Sequence, residues 1–111
     1  QLLPQLREGG GRMRLEINPF RMGTDKEAAL KPLEESAEIF GAWQDLKRES
    51  QIVSSDGIRN YMFWLSTFAC EIADCITACA NLADRYGIDL QAALDAVEKH
   101  NRERGRYGSL D

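Results

Sequence analysis

Apolar residues recur every three or four positions along most of this 111-residue chain, and that period favours helices over strands. Leu33, Ala37 and Phe40 follow it in one stretch, as do Leu65 and Ala69 in another. Nowhere do apolar and polar residues alternate long enough to indicate a strand. We therefore expect an all-α protein, in which a chain of this length forms one small antiparallel helical bundle.

The first helix is predicted from Thr24, because Thr24 and Glu27 have the spacing of a capping box. We expect it to run to about Glu49. Pro32 lies inside this stretch and lacks the N–H that would bond to Ala28, so a kink or a break is predicted there. Residues 1–23, which include three consecutive glycines, form a peripheral N-terminal segment, and residues 24–111 form the helical domain.

Two further helices are predicted after a connector at residues 50–55. Ser55 or Asp56 caps the second, which spans roughly 57–86 and stops at Gly87 in the left-handed conformation. Asp89 caps the third, which ends at Gly105. Their predicted core positions are Ile58, Met62, Leu65, Ala69, Ile72, Ile76, Ala80 and Ala83 on the second helix, and Leu90, Ala93, Leu94 and Val97 on the third.

The composition limits the classes of function. A net charge of −4 and a pI near 5.0 argue against a protein that binds a nucleic-acid backbone by bulk electrostatics. No uninterrupted apolar run approaches the roughly 20 residues of a membrane span, and the first residues lack the apolar core of a secretory signal. We therefore expect a cytoplasmic protein. Three cysteines, Cys70, Cys75 and Cys79, fall on one predicted helix and are interpreted as buried reduced thiols rather than disulfides or a zinc site.

Five acidic residues form two clusters, each on a predicted helix. Glu34, Glu35 and Glu38 lie on the first, and Glu71 and Asp74 lie on the second. Carboxylates three or four residues apart share one side of a helix and repel each other. Both clusters have small or apolar neighbours, and buried carboxylates need a counter-charge or a metal. Oxygen-only ligation predicts Mg²⁺, with Mn²⁺ as a substitute.

A di-iron carboxylate bundle is the nearest rival for such a pattern. Its sites add histidine in a Glu-x-x-His arrangement, whereas the third positions here are Glu38 and Asp74. The sequence therefore disfavours redox iron.

The motifs resemble those of the MazG-like branch of the all-α nucleoside triphosphate pyrophosphohydrolases. They are Lys31-x-x-Glu34-Glu35-x-x-Glu38, then Glu71-x-x-Asp74, then LADRYGIDLQAALDAVEKHNRERGRY, within residues 24–107. The resemblance implies Mg²⁺-dependent cleavage of a nucleoside or deoxynucleoside triphosphate to the monophosphate and pyrophosphate. Cys70 departs from the pattern, since many members have a glutamate immediately before the second motif.

The resemblance also implies roles for individual residues. Glu35, Glu38, Glu71 and Asp74 match the metal ligands, and either Glu38 or Glu34 takes the proton of the attacking water. The matches for phosphate-binding groups are Lys31, Lys99, Asn101 and Arg102. Trp64 lies two turns before Glu71, on its face, and is a weaker prediction for contact with the base.

Apolar residues left over by so few helices predict a homodimer or homotetramer that encloses the site. Two alternatives remain open at this point. One is an activity like that of phosphoribosyl-ATP pyrophosphohydrolase. The other is a non-catalytic oligomerisation module that merely binds metal, for which cations around the acidic cluster would be unnecessary.

Overall fold

A computed structural model describes residues 5–51 and 57–108 of the chain, and within these ranges it contains helices and no strand. The helices are α1, Asp25–Ser50, α2, Gly57–Arg85, and α3, Leu90–Glu103. The predicted all-α class is confirmed. The Ser55 or Asp56 cap lies outside the described residues.

Helix α1 begins at the predicted capping box. Thr24 Oγ1 accepts from the Glu27 N–H at 3.2 Å, and the Glu27 carboxylate accepts from the Thr24 N–H at 3.3 Å. The kink or break predicted at Pro32 is wrong in its stronger form, because α1 continues as helix through that residue to Ser50. Only one helical hydrogen bond is lost at a proline, and the packing of α1 on α2 offsets that loss.

Helix α2 ends as the sequence predicts. Gly87 has φ +66°, the left-handed conformation that stops a helix, and the Ile88 N–H bonds to the Ala83 carbonyl at 2.9 Å. Asp89 caps α3 by accepting from the Ala92 N–H at 3.0 Å. Helix α3 stops at Glu103, two residues before the predicted end at Gly105.

The core lies between α1 and α2, whereas α3 touches α2 only lightly. Mostly small residues are buried there: Ala28, Ala42, Leu46, Ala78, Ala80 and Ala83. Among the core positions predicted on α2, Ala80 and Ala83 are buried as expected. The prediction is wrong for Ala69 and Ile72, which are exposed. On α3, Leu94 and Val97 are also exposed. No large side chain is fully buried in the described part of the chain.

The N-terminal segment before α1 has no regular secondary structure over its described residues and is joined to the helices by polar contacts. The Phe20 N–H donates to Oδ1 of the buried Asn81 at 2.8 Å. Arg85 donates to the Asp25 carboxylate and to the carbonyls of Met22 and Gly23. These contacts anchor the start of α1 against the end of α2.

Part of α2 is long and apolar enough to cross a membrane. Asn60–Arg85 reaches a mean hydropathy of 1.3 over an 18-residue window, of which 11% is buried. The sequence expectation rested on uninterrupted apolar runs, and this windowed average tolerates charged residues. The core helix of a soluble protein passes the same test, so this property alone identifies no location.

Candidate metal centre

Two antiparallel helices bring the acidic clusters together. One carboxylate oxygen from each of Glu35, Glu71 and Asp74 lies within 4.8 Å of the other two. Glu35 comes from α1, and the other two residues lie one turn apart on α2. The structure thus places three of the four predicted ligands at one point between the helices.

Glu38 belongs to the same cluster. Its pKa is raised above the ordinary value, first because it hydrogen-bonds with Glu71, then because it hydrogen-bonds with Glu35 and feels the charge of that carboxylate. Like charges at this separation favour retention of a proton by one member. In this cluster the raised pKa is that of Glu38.

Burial is uneven across the cluster. Glu35 is buried, with 9% of its side chain exposed, Glu71 is half-buried, and Asp74 and Glu38 are exposed. The Oε2 atoms of Glu35 and Glu71 are buried and have no hydrogen-bond partner among the described residues. A buried carboxylate oxygen without a partner is costly, and a cation bound here would remove that cost.

Lys31 supplies the nearest positive charge. Its Nζ lies 3.3 Å from Glu35 Oε1 and 3.6 Å from Glu34 Oε2. The pKa of Lys31 is raised, chiefly by its hydrogen bond with Glu35 and then by the charge of that carboxylate. Glu34, with 62% of its side chain exposed, lies at the margin of the cluster.

The predicted phosphate-binding residues of α3 lie in other surroundings. Arg102 lies 3.9 Å from Glu98 and stacks over the Tyr107 ring at 4.8 Å. With Asn101 it lines a cavity of about 810 Å³ between α3 and the N-terminal segment. Lys99 is exposed. Their role in binding phosphate stays a prediction.

Trp64 is half-buried on α2, where its ring meets the Phe63 ring edge to face at 5.1 Å. A second aromatic pair, Phe40 and Trp43, stacks on α1 at 5.7 Å. This arrangement does not test the predicted contact of Trp64 with the base of a nucleotide.

The cysteines are the feature that the sequence reasoning misjudged. All three are free thiols, but Cys70 and Cys79 are exposed and only Cys75 is half-buried. The Cys75 Sγ donates to the Pro32 carbonyl of α1 at 3.8 Å. The four-residue spacing from Glu71 to Cys75 was the signal that could have placed this thiol beside the carboxylates.

No protein-family model, curated protein or solved structure matches this chain. The resemblance to MazG-like enzymes therefore stays a prediction from the motifs of the sequence.

Proposed function

We propose that this protein is an Mg²⁺-dependent nucleotide pyrophosphohydrolase of MazG-like type, which converts a nucleoside or deoxynucleoside triphosphate to the monophosphate and pyrophosphate. One observation carries the proposal: carboxylates from two helices converge within 4.8 Å, and two of their buried oxygens have no partner among the described residues. The order and spacing of the motifs supply the class of reaction.

The donor set fits a hard cation. Glu35, Glu71 and Asp74 offer only oxygen, and Glu38 joins them once it has lost its proton. Oxygen ligands and few protein contacts suit Mg²⁺, which keeps several of its waters, and Mn²⁺ is the expected substitute. When bound, the cation would neutralise charge on the phosphates and lower the pKa of the attacking water.

The chain's own residues would bind the substrate and move the proton. Glu38 is better suited than Glu34 to take the proton of the water, because its raised pKa reflects direct contact with Glu71 and Glu35. Lys31 is already fixed beside Glu35 and would meet a phosphate oxygen there. Its charge would offset the negative charge that the phosphates bring.

A homo-oligomer is part of the proposal. A compact monomer of 12.5 kDa exposes roughly 6,200 Å², whereas this chain exposes 8887 Å². The excess is larger than the roughly 800 Å² per partner of a stable interface. Leu33, Phe40 and Phe63 are large apolar residues left exposed on α1 and α2. A second chain would cover such residues and bring α3 cations, including Lys99 and Arg102, towards the carboxylates.

Burial of these apolar residues between two chains also favours a cytoplasmic oligomer over a membrane protein. Glu71 and Asp74 lie within the apolar stretch of α2, and carboxylates at the centre of a bilayer are costly. Light scattering in detergent-free buffer tests the point: a monodisperse dimer or tetramer is expected. Insoluble protein that dissolves only with detergent would contradict it.

One observation favours the non-catalytic alternative. The contacts described for Asn101 and Arg102 are with Arg104, Glu98 and Tyr107, within α3 or just beyond its end. A metal-binding module without catalysis needs none of these residues at the cluster.

The test is pyrophosphate release across a panel of ribo- and deoxynucleoside triphosphates, and phosphoribosyl-ATP, with Mg²⁺ or Mn²⁺. We expect equal amounts of monophosphate and pyrophosphate, with kcat lowered about 100-fold or more in Asp74→Asn and in Glu38→Ala. Glu103→Gln at the end of α3 is the matched control and should retain wild-type turnover. A folded, oligomeric protein without turnover on the whole panel would overturn the proposal.

A further inference from the structure

A cavity of about 810 Å³ lies between α3 and the N-terminal segment, and none of its described lining residues belongs to the carboxylate cluster. Its volume falls within the range of roughly 300–1,000 Å³ that is typical of small-molecule sites. Apolar side chains of the lining include Met13 and Leu15 of the segment and Leu94 and Val97 of α3, each at least half exposed. A ligand in the cavity would remove part of this apolar surface from water, which favours binding.

The charged groups of this lining compensate one another. Arg12 donates to both oxygens of Glu98 at 3.0 and 3.1 Å, which joins the segment to α3, and Arg102 lies 3.9 Å from the same carboxylate. Asp95, the other carboxylate of the described lining, accepts from the Gln91 amide at 2.9 Å. Two guanidinium groups and two carboxylates carry no net charge. A charged ligand would therefore compete with an existing pair, whereas an uncharged ligand would leave the pairs intact.

Part of the lining offers a flat surface together with amide groups. The Arg102 guanidinium lies over the Tyr107 ring, 4.8 Å from its centroid, and Tyr107 remains 45% exposed. Aromatic rings and guanidinium planes of this kind stack on other flat rings. Gln91 and Asn101 bring both donors and acceptors, and Arg104 holds Asn101 by a contact of 2.6 Å to its Oδ1 atom. These groups suit a planar ring with polar edges.

We propose that this cavity binds one uncharged planar heterocyclic compound, of the chemical class of a nucleoside. The ring would stack on Tyr107, and its polar edges would form hydrogen bonds with Gln91 and Asn101. Leu94 and Val97 would cover its apolar surface. The proposal does not depend on the pyrophosphohydrolase activity, because neither the carboxylate cluster nor a metal takes part in this binding.

The N-terminal segment forms one wall of the site, and an exposed ion pair holds it there. The Arg12 side chain in that pair with Glu98 is 71% exposed, so salt should weaken the contact. Affinity for an uncharged ligand should then fall by up to about fivefold from low to high salt, because the wall loosens. Arg12→Ala should lack this salt dependence. Arg14→Ala is the matched control, since Arg14 lies in the same segment and pairs with Glu16 outside the cavity.

The binding experiment is a fluorescence titration of 2-aminopurine riboside, an uncharged fluorescent nucleoside, with the full-length protein in EDTA. We expect saturable quenching at one site per chain. Leu94→Ala/Val97→Ala should weaken binding about tenfold or more through loss of apolar contact, and Tyr107→Leu about fivefold or more through loss of stacking. Leu30→Ala/Leu33→Ala, which shortens two exposed leucines of α1 instead, is the matched control and should bind as the wild type does.

Three results would overturn this inference. They are the absence of saturable binding, equal losses in the two double variants, and tighter binding of the 5′-monophosphate of the same nucleoside. A salt dependence that persists in Arg12→Ala would overturn the placement of the ligand against the N-terminal segment. Circular dichroism confirms that each variant is folded, which is expected because α3 has no buried residue. Turnover with Mg²⁺ is measured separately, and its absence would contradict the pyrophosphohydrolase while this binding result stands.

Discussion

The α1–α2 hairpin and helix α3 are attached to the molecule in different ways. The hairpin buries alanines and Leu46 between its helices and carries the carboxylate cluster. Helix α3 has no buried residue, and its links to the N-terminal segment include the exposed ion pair of Arg12 with Glu98. Apolar packing fixes the hairpin, whereas polar surface contacts position α3. A site that depends on a buried carboxylate needs the apolar packing of the hairpin.

Leu46→Ala is expected to show the largest difference between the two regions. Leu46 is 7% exposed inside the hairpin, and loss of a buried leucine typically lowers the free energy of unfolding by 2–5 kcal/mol, so we expect about 3 kcal/mol here. Leu94→Ala on α3, where the side chain is 51% exposed, should cost less than about 1 kcal/mol. Urea unfolding monitored by circular dichroism measures both. Equal losses would show that Leu94 is also packed in solution and would contradict the separation of α3 from the hairpin core.

The pH dependence of Mg²⁺ binding tests the hairpin site alone. The proton on Glu38 is bound more tightly in the folded protein, so it stabilises the metal-free protein fully below the ordinary pKa of 4.5. That contribution disappears as the pH rises through the raised value. Mg²⁺ must displace the proton, so its affinity should rise with pH over the same range, by up to about tenfold per unit.

Isothermal titration calorimetry at several pH values measures this dependence. Glu38→Gln cannot lose a proton and should show a flatter profile, while Glu103→Gln should keep the wild-type slope. An unchanged slope in Glu38→Gln would assign the proton to another group.

The two helix caps allow a smaller, matched comparison. Thr24→Ala removes the cap of α1 and Asp89→Ala removes the cap of α3, and each change should cost about 1 kcal/mol locally. Because α1 is packed in the core, Thr24→Ala should lower the free energy of global unfolding. Asp89→Ala should speed hydrogen exchange only in α3, because α3 opens without disturbing the hairpin. Global destabilisation of similar size in both variants would contradict this separation.

The smallest effect is expected at the Arg12 ion pair. Arg12 donates to both Glu98 oxygens at 3.0 and 3.1 Å, but its side chain is 71% exposed. Exposed pairs contribute about 0–1 kcal/mol, and salt screens them. A double-mutant cycle of Arg12→Ala and Glu98→Ala, at low and at high salt, measures the coupling. A coupling that high salt leaves unchanged would indicate that this contact is buried in the assembled protein.

Much of this architecture could be read from local sequence. The capping box of Thr24, the left-handed Gly87 and the Asp89 cap act through atoms a few residues away, so their patterns predicted the helix ends. The helical period likewise predicted that Glu71 and Asp74 share a face. The predicted break at Pro32 was wrong because a single lost bond was weighed without the partner helix that packs against α1.

The sequence by itself determined the three described helices, the N-caps of α1 and α3 and the carboxylates available on each face. Only the tertiary structure decided that Glu35 is buried while its neighbour Glu34 stays exposed, and that Cys75 lies against Pro32. It also left α3 at the edge of the hairpin. The reason is geometric: helical periodicity fixes which residues share a face, whereas the rotation and register of two packed helices decide which face loses its contact with water.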